Sequence, residues 1–138
     1  MSKQKVLFIC THNSARGQMS EAYLRNLAGD RFEVESGGFE PTTINPLAVE
    51  VMKEEDIDIS GNKTNSVFEL YKEGRLYDYV ITVCDDSENL CPIFPGITRR
   101  LHWAFEDPAS FTGSKKKKLD KTREVRDRIK QTIQDWLE

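Results

Sequence analysis

The sequence predicts an α/β fold in which a four-stranded, mainly parallel sheet is flanked by helices. Short apolar stretches alternate along the chain with segments whose apolar residues recur at helical spacing. Residues 6–9 and 79–83 are continuous runs of apolar and β-branched side chains, which is typical of strands buried on both faces. The chain has 138 residues, of which 38% are hydrophobic and 31% charged, as expected for one ordinary globular domain. We therefore treat residues 1–138 as a single domain.

The individual elements follow from turn and capping signals. Strands are predicted at residues 6–9, 32–36, 79–83 and 99–103. Helices are predicted to begin near residues 19, 45, 66 and 119. Asn45 followed by Pro46 is an N-cap and first-turn pair, and Ser66 with Glu69 has capping-box spacing. The segment from Phe111 to Lys118 is predicted to be a mobile loop.

Composition excludes several classes of function. The net charge of −3 argues against a nucleic-acid-binding protein, and the one basic run, Lys115 to Lys118, is interpreted as part of the solvated loop. No apolar stretch approaches membrane-spanning length, so no membrane association is expected. Three cysteines are an odd number and do not suggest a secreted disulfide framework. We expect reactive thiols in a reducing compartment, and hence a cytoplasmic protein.

The segment from Cys10 to Arg16 has the arrangement of a nucleophile inside an anion-binding loop. It joins a buried strand to a helix, so Cys10 faces backbone N–H groups at a helix N-terminus, which favour a thiolate. The same N–H groups can surround a tetrahedral oxyanion, and Arg16 can add a bidentate contact. A lone buried cysteine is often only a small core residue. The strand before it and the helix after it favour the catalytic interpretation.

A second segment places Cys84 and Cys91 seven residues apart, directly after a buried strand. The two could be unrelated thiols, a zinc-binding pair or a redox pair. Zinc is the least favoured, because the chain has only two histidines and no second pair of ligands with suitable spacing. Two thiols in a segment that changes conformation can come within disulfide distance. With Cys10 nearby, the redox interpretation is favoured.

Asp107 followed by Pro108 is by itself a turn signal. Ligands of parallel α/β sheets bind beyond the carboxyl ends of the strands, and Cys10, Cys84 and Asp107 all follow predicted strands. We expect these three side chains at the same edge of the sheet.

The sequence CTHNSARGQMSEA resembles the active-site loop of the low-molecular-weight protein tyrosine phosphatases and of the arsenate reductases that share their fold. Cys84, Cys91 and Pro92 match the additional cysteines of the thioredoxin-coupled reductases. The segment HWAFEDPA is also similar to the reductases, with Asp107 at the position of the general acid. Phosphatases usually have aromatic residues soon after this Asp-Pro, whereas Ala109 and Ser110 follow here. The resemblance extends from Lys5 to the C-terminal helix.

This resemblance implies reduction of arsenate to arsenite. Cys10 would attack arsenic, Arg16 and the loop N–H groups would stabilise the oxyanion, and Asp107 would protonate the leaving oxygen. Cys84 would then attack Cys10, Cys91 would attack Cys84, and thioredoxin would reduce the resulting disulfide, with no cofactor or metal. Two alternatives stay open: a phosphatase of phosphotyrosine or small phosphomonoesters that uses Cys10, Arg16 and Asp107, and a non-enzymatic thiol redox sensor.

The resemblance also assigns the residues around the nucleophile. The oxyanion-binding loop comprises Thr11, His12, Asn13, Ser14, Ala15, Arg16 and Gly17. Asn13, Glu21 and Ser36 are expected to support the loop from beneath. Gly17 departs from the family, which usually has Ser or Thr there, with a hydroxyl that can donate to the nucleophile. We therefore expect the pKa of Cys10 to lie below its ordinary value but closer to neutrality than in relatives with the hydroxyl.

Overall fold

A computed structural model describes residues 3–84 and 98–138. Four strands lie in these ranges: β1 (Gln4–Cys10), β2 (Phe32–Gly38), β3 (Tyr79–Thr82) and β4 (Arg99–His102). The helices in these ranges are α1 (Arg16–Ala28), α2 (Pro46–Lys53), α3 (Val67–Lys72) and α4 (Lys115–Leu137), with a 3₁₀ turn at Pro108–Ser110. The strands form one parallel sheet in the order β2-β1-β3-β4. The predicted four-stranded α/β fold is confirmed.

Strand β1 is an inner strand of the sheet, since it pairs with β2 on one side and β3 on the other. Cys10 lies opposite Gly38, and Ile9 lies opposite Thr82. Because all the strands run in the same direction, the carboxyl ends of β1, β2 and β3 come together at one edge. The Cys10 loop, residues 10–16, leaves the sheet from that edge between β2 and β3.

Both faces of β1 are covered, which explains its continuous apolar sequence. Val6 and Phe8 belong to a core built with residues of α1, α2 and α4, whereas Leu7 and Ile9 pack with Val67 of α3 on the opposite face. All four β1 side chains are fully buried. At roughly 1.5–3 kcal/mol for each large apolar side chain, their burial fixes the strand that carries Cys10.

The two predicted N-caps are confirmed. The side chain of Asn45 accepts a hydrogen bond from the N–H of Leu47 at the start of α2, and that of Ser66 accepts one from the N–H of Glu69 in α3. Because Asn45 caps α2, it also ends the segment, residues 39–45, that runs from β2 along the Cys10 loop.

The prediction of a loop over residues 111–118 is wrong in its second half, because α4 begins at Lys115. The Ser114 side chain caps this helix by accepting from the N–H of Lys117 at 3.2 Å. Lys115, Lys116 and Lys117 are exposed, so the first turn has no apolar residue from which the helix could be recognised. Lysine is a good helix former, and the cap determines where the helix starts.

Within residues 3–84 and 98–138, no helix combines the length and the apolar character needed to cross a membrane.

Candidate active site

The Cys10 loop starts at the end of β1 and leads directly into α1. The helix begins at Arg16, three residues before the predicted start at Met19, and its first turn is closed by the N–H of Met19 donating to the Ala15 carbonyl. Arg16 and Gly17 are buried. Gly17 lies against the Cys10 sulfur, so the first turn of α1 faces the loop and shows no apolar periodicity. The helix N-terminus therefore lies directly beside Cys10.

The segment that follows β2, residues 39–45, holds the loop in an open curve. Its backbone N–H groups donate to loop carbonyls in four pairs: Phe39 to Cys10, Glu40 to Thr11, Thr42 to His12, and Asn45 to Ser14, at 3.3, 2.8, 3.0 and 2.9 Å. In a trans peptide the C=O and the following N–H point in opposite directions. Since these carbonyls are directed outwards, the N–H groups of the same peptides face the inside of the loop.

The backbone conformation of Asn13 also directs an N–H group towards the inside of the loop. Its φ of 53° is left-handed, a region that Asn tolerates better than most residues. Its N–H donates to Cys10 Sγ at 3.2 Å, as expected for an inward-facing peptide. A mixture of right- and left-handed residues makes successive N–H groups converge, which creates an anion-binding concavity.

Gly38 allows the loop to lie against the end of β2. A Cβ at this position would lie 2.7 Å from the Asn13 nitrogen and 2.8 Å from the Thr11 carbonyl oxygen. This close approach was not predicted from the sequence. At the rim of the loop, the His12 Nδ1 lies 3.0 Å from the Glu40 carbonyl oxygen, so this nitrogen carries the hydrogen and donates it.

Cys10 is almost completely buried, at 1% exposure. Burial raises the pKa of the Cys10 thiol above its ordinary value; the charge of Arg16 and the N–H groups of Gly17 and Asn13 lower it, and Asp107 raises it further. The expectation of a lowered pKa is therefore wrong. The sequence revealed the groups that favour a thiolate, but not the loss of water around the sulfur, whose effect is larger.

Arg16 connects the loop to the segment after β4. It is 2% exposed, its Nη1 donates to the Phe105 carbonyl at 3.3 Å, and its Nη2 lies 3.5 Å from Asp107 Oδ2. The other carboxylate oxygen of Asp107 accepts from the N–H of Ala109 at 3.0 Å and starts the 3₁₀ turn. Asp107 is thus both the turn residue that its sequence indicated and a neighbour of the Arg16 guanidinium.

The next aromatic residue after Asp107 is Phe111. It packs against the core, and the Lys121 ammonium lies 5.6 Å from its ring centroid.

A polar cluster supports the loop from beneath, and it contains the three residues expected there. Ser36 Oγ donates to Glu21 Oε1 at 2.5 Å, and Asn13 Nδ2 donates to the Ser36 carbonyl at 3.4 Å. Asn65 Nδ2 donates to the same carbonyl at 3.0 Å. These contacts fix the Asn13 side chain beneath the loop. Its Oδ1 is buried and has no hydrogen-bond partner among the described residues.

Cys84 lies next to the base of the loop, two residues beyond β3. It is fully buried, and its thiol donates to the Ile9 carbonyl at 3.3 Å. Ile9 directly precedes Cys10, so the structure brings the second cysteine beside the strand end that carries the first. Cys91 and Pro92 lie outside the described residues.

The sequence model of low molecular weight phosphotyrosine protein phosphatases matches residues 5–138. The chain belongs to this family. Arsenate reductase 2 of Staphylococcus haemolyticus is 40% identical over 136 residues, covering 99% of this chain and 98% of that protein. An arsenate reductase of Staphylococcus aureus strain N315 is 39% identical over 137 residues, with the same two coverages.

Two solved structures are similar to this protein over almost the whole chain. An arsenate reductase in the phosphate-binding state superposes with a TM-score of 0.81 at 31% identity, covering 96% of this chain and 95% of that one. A tyrosine phosphatase of Erwinia amylovora gives a TM-score of 0.75 at 17% identity, with coverages of 99% and 92%. The second similarity concerns the fold alone.

Gln18, in the first turn of α1, is a residue of the active-site region that sequence reasoning did not single out. It is 1% exposed, and its side-chain amide donates to the carbonyl of Asn13 inside the loop. The sequence feature that could have identified Gln18 is its position. It is a polar residue two places after Arg16, in the first turn of the helix that begins at the loop.

Gly17, the departure from the family pattern, lies directly against the Cys10 sulfur. A Cβ added to Gly17 would lie 3.1 Å from Cys10 Sγ and 3.3 Å from Asn13 Oδ1. Both distances are tighter than ordinary van der Waals contacts, so a side chain requires its neighbours to shift by a few tenths of an ångström.

We expect Gly17→Ser to lower the pKa of Cys10 relative to Gly17→Ala. Both variants introduce the same crowding by Cβ, and only Ser adds a hydroxyl that can donate to the thiolate. Such a bond to a charged group contributes about 1.5–3 kcal/mol, which corresponds to roughly one to two pKa units. The pH dependence of iodoacetamide alkylation, followed by mass spectrometry of the Cys10 peptide, measures the difference. Equal pKa values would indicate that the hydroxyl donates to Asn13 Oδ1 instead.

Proposed function

We propose that this protein reduces arsenate to arsenite through a relay of three cysteines. The observation that carries the proposal is the position of Cys84, whose thiol contacts the carbonyl of the residue before Cys10. A phosphatase needs one thiol in the loop, whereas a reductase needs a second thiol nearby to accept the bond from the first. The arsenate reductases among the similar proteins support this choice.

In the first step, the Cys10 thiolate attacks the arsenic atom of bound arsenate and an S–As bond forms. One arsenate oxygen leaves, and Asp107 supplies its proton. The inward N–H groups of the loop and the Arg16 guanidinium stabilise the negative charge on the remaining oxygens. Arg16 is 2% exposed, so little water screens its interaction with the anion.

In the second step, the Cys84 thiolate attacks the Cys10 sulfur. An S–S bond forms and the S–As bond breaks, with its electron pair remaining on arsenic, which leaves as arsenite. Cys91 then attacks the Cys84 sulfur and releases the Cys10 thiolate. Thioredoxin supplies two electrons that reduce the Cys84–Cys91 disulfide. The role of Cys91 rests on its sequence position and on the resemblance. The relay requires a reducing compartment, so we propose a cytoplasmic location.

A phosphomonoesterase is the second candidate, because phosphate and arsenate have nearly the same shape and Cys10, Arg16 and Asp107 are sufficient for ester cleavage. The position of Phe111 argues against phosphotyrosine as the main substrate, since the first aromatic side chain after Asp107 packs against the core.

Coupled turnover of the wild-type protein tests the proposal. Thioredoxin, thioredoxin reductase and NADPH are mixed with the protein, and arsenate-dependent NADPH oxidation is followed. We expect continuous oxidation that stops when thioredoxin is omitted, together with slow hydrolysis of p-nitrophenyl phosphate. Rapid ester hydrolysis without arsenate turnover would establish the phosphatase instead. Absence of both activities, with thiols that oxidise reversibly in peroxide, would favour the non-enzymatic sensor.

A further inference from the structure

The carbonyl of Asn13 is anchored differently from the other carbonyls of the loop. Backbone N–H groups donate to the carbonyls on either side of it, those of His12 and Ser14. The Asn13 carbonyl accepts from a side chain, Gln18 Nε2, at 3.1 Å. Segment 39–45 supplies the neighbouring donors, from Thr42 and Asn45. Asn13, whose backbone is left-handed, lies between those two contacts. The hydrogen bond from the Gln18 side chain holds the Asn13 carbonyl in place of a backbone donor.

The orientation of the Gln18 amide is fixed by three hydrogen bonds. Its Nε2 also donates to the Lys63 carbonyl at 3.2 Å, and its Oε1 accepts from Asn62 Nδ2 at 3.2 Å. Rotating the amide by 180° would direct its oxygen at two carbonyl oxygens, so this arrangement is strongly preferred. Gln18 therefore connects the loop rigidly to residues 62–63.

The anchor determines the direction of the next N–H group. The Asn13 carbonyl and the Ser14 N–H belong to one planar peptide and point in opposite directions. Because Gln18 draws the carbonyl away from the loop, the Ser14 N–H is directed inwards. The preceding peptide behaves in the same way: the His12 carbonyl is held outwards, and the Asn13 N–H reaches Cys10 Sγ.

We propose that Gln18 is a positioning residue that directs the Ser14 N–H at the bound oxyanion. The proposal rests on the oxyanion-binding function proposed above. Without the Gln18 donor, the Asn13 carbonyl is buried and unpaired unless the peptide rotates towards another donor. Rotation removes the Ser14 N–H from the oxyanion. A hydrogen bond to a charged group is lost in that case, which corresponds to roughly a ten- to hundredfold loss of anion affinity.

The test compares phosphate binding by two variants and the wild type. Gln18→Met keeps the length of the side chain but has no amide donor. Asn62→Ala removes the contact on the other side of Gln18 and leaves the bond to Asn13 in place. Titration calorimetry with inorganic phosphate should give a dissociation constant about ten- to hundredfold higher for Gln18→Met, and one within about threefold of wild type for Asn62→Ala. An affinity of folded Gln18→Met within twofold of wild type would overturn the proposal.

Amide NMR of the wild-type protein gives an answer that does not depend on folding of a variant. Titration with inorganic phosphate should shift the Ser14 amide proton downfield together with other loop amides. A Ser14 amide that stays in place while its neighbours shift would overturn the role of Gln18 and leave the proposed function intact. Absence of any phosphate binding by the wild type would instead overturn the oxyanion-binding function on which the inference rests.

Discussion

Cys10→Ser is expected to lose arsenate reduction and any phosphatase activity, by at least about a thousandfold. A serine hydroxyl has a far higher pKa than a thiol, so it does not supply the anion that attacks arsenic or phosphorus. It also cannot form a disulfide with Cys84. The N–H groups of Asn13 and Gly17, which contact the sulfur, remain available to the smaller oxygen. Initial rates on arsenate and on p-nitrophenyl phosphate measure the loss.

Phosphate binding is the control for Cys10→Ser, because the loop and Arg16 are unchanged in this variant. We expect calorimetry to give an affinity close to that of the wild type. Retention of either activity in a variant that still binds phosphate would show that Cys10 is not the nucleophile.

The raised pKa of wild-type Cys10 adds a pH dependence to this first step. A thiol whose pKa is raised by burial is mostly protonated at neutral pH, and its thiolate fraction increases about tenfold per pH unit until the pKa is reached. The alkylation rate of Cys10 should therefore rise continuously above neutral pH. A rate that is constant between about pH 6 and 8 would mean that Arg16 and the helix N-terminus outweigh burial.

The clearest site predictions from the sequence concern residues that lie close together along the chain. Cys10 and Arg16 belong to one loop between a strand and a helix, and the apolar run of β1 shows where that loop begins. Asp107 was placed near them by a rule of topology, since side chains that follow parallel strands meet at one edge of the sheet. The distance of 3.5 Å between Arg16 and Asp107 agrees with that expectation.

The parts that the sequence did not reveal depend on contacts between distant segments. The burial that raises the pKa of Cys10 arises because strands on both sides enclose the end of β1 and Gly38 lets the loop pack closely. The Gln18 amide reaches Lys63, which is distant along the chain. The start of α4 was missed for a different reason: a capped first turn of exposed lysines has no apolar periodicity.

Cys84→Ser is expected to stop multiple turnovers of arsenate while leaving p-nitrophenyl phosphate hydrolysis within about threefold of wild type. The serine hydroxyl can donate to the Ile9 carbonyl as the thiol does, so the packing at the base of the loop should be preserved. In the proposed mechanism, ester hydrolysis needs Cys10, Arg16 and Asp107. Arsenite release also needs a thiol that attacks Cys10, and without it the reaction stops at the Cys10–arsenic adduct.

Cys91→Ser is the matched variant. We expect Cys84→Ser and Cys91→Ser to stop the cysteine relay at different steps. With Cys84 present and Cys91 absent, one equivalent of arsenite should be released and a Cys10–Cys84 disulfide should accumulate. Cys84→Ser should release none. Quantification of arsenite in a single turnover and peptide mapping without reduction distinguish the two. Equal loss of both activities in either variant would indicate a structural role for that cysteine, and the phosphatase would then be the better interpretation of the Cys10 loop.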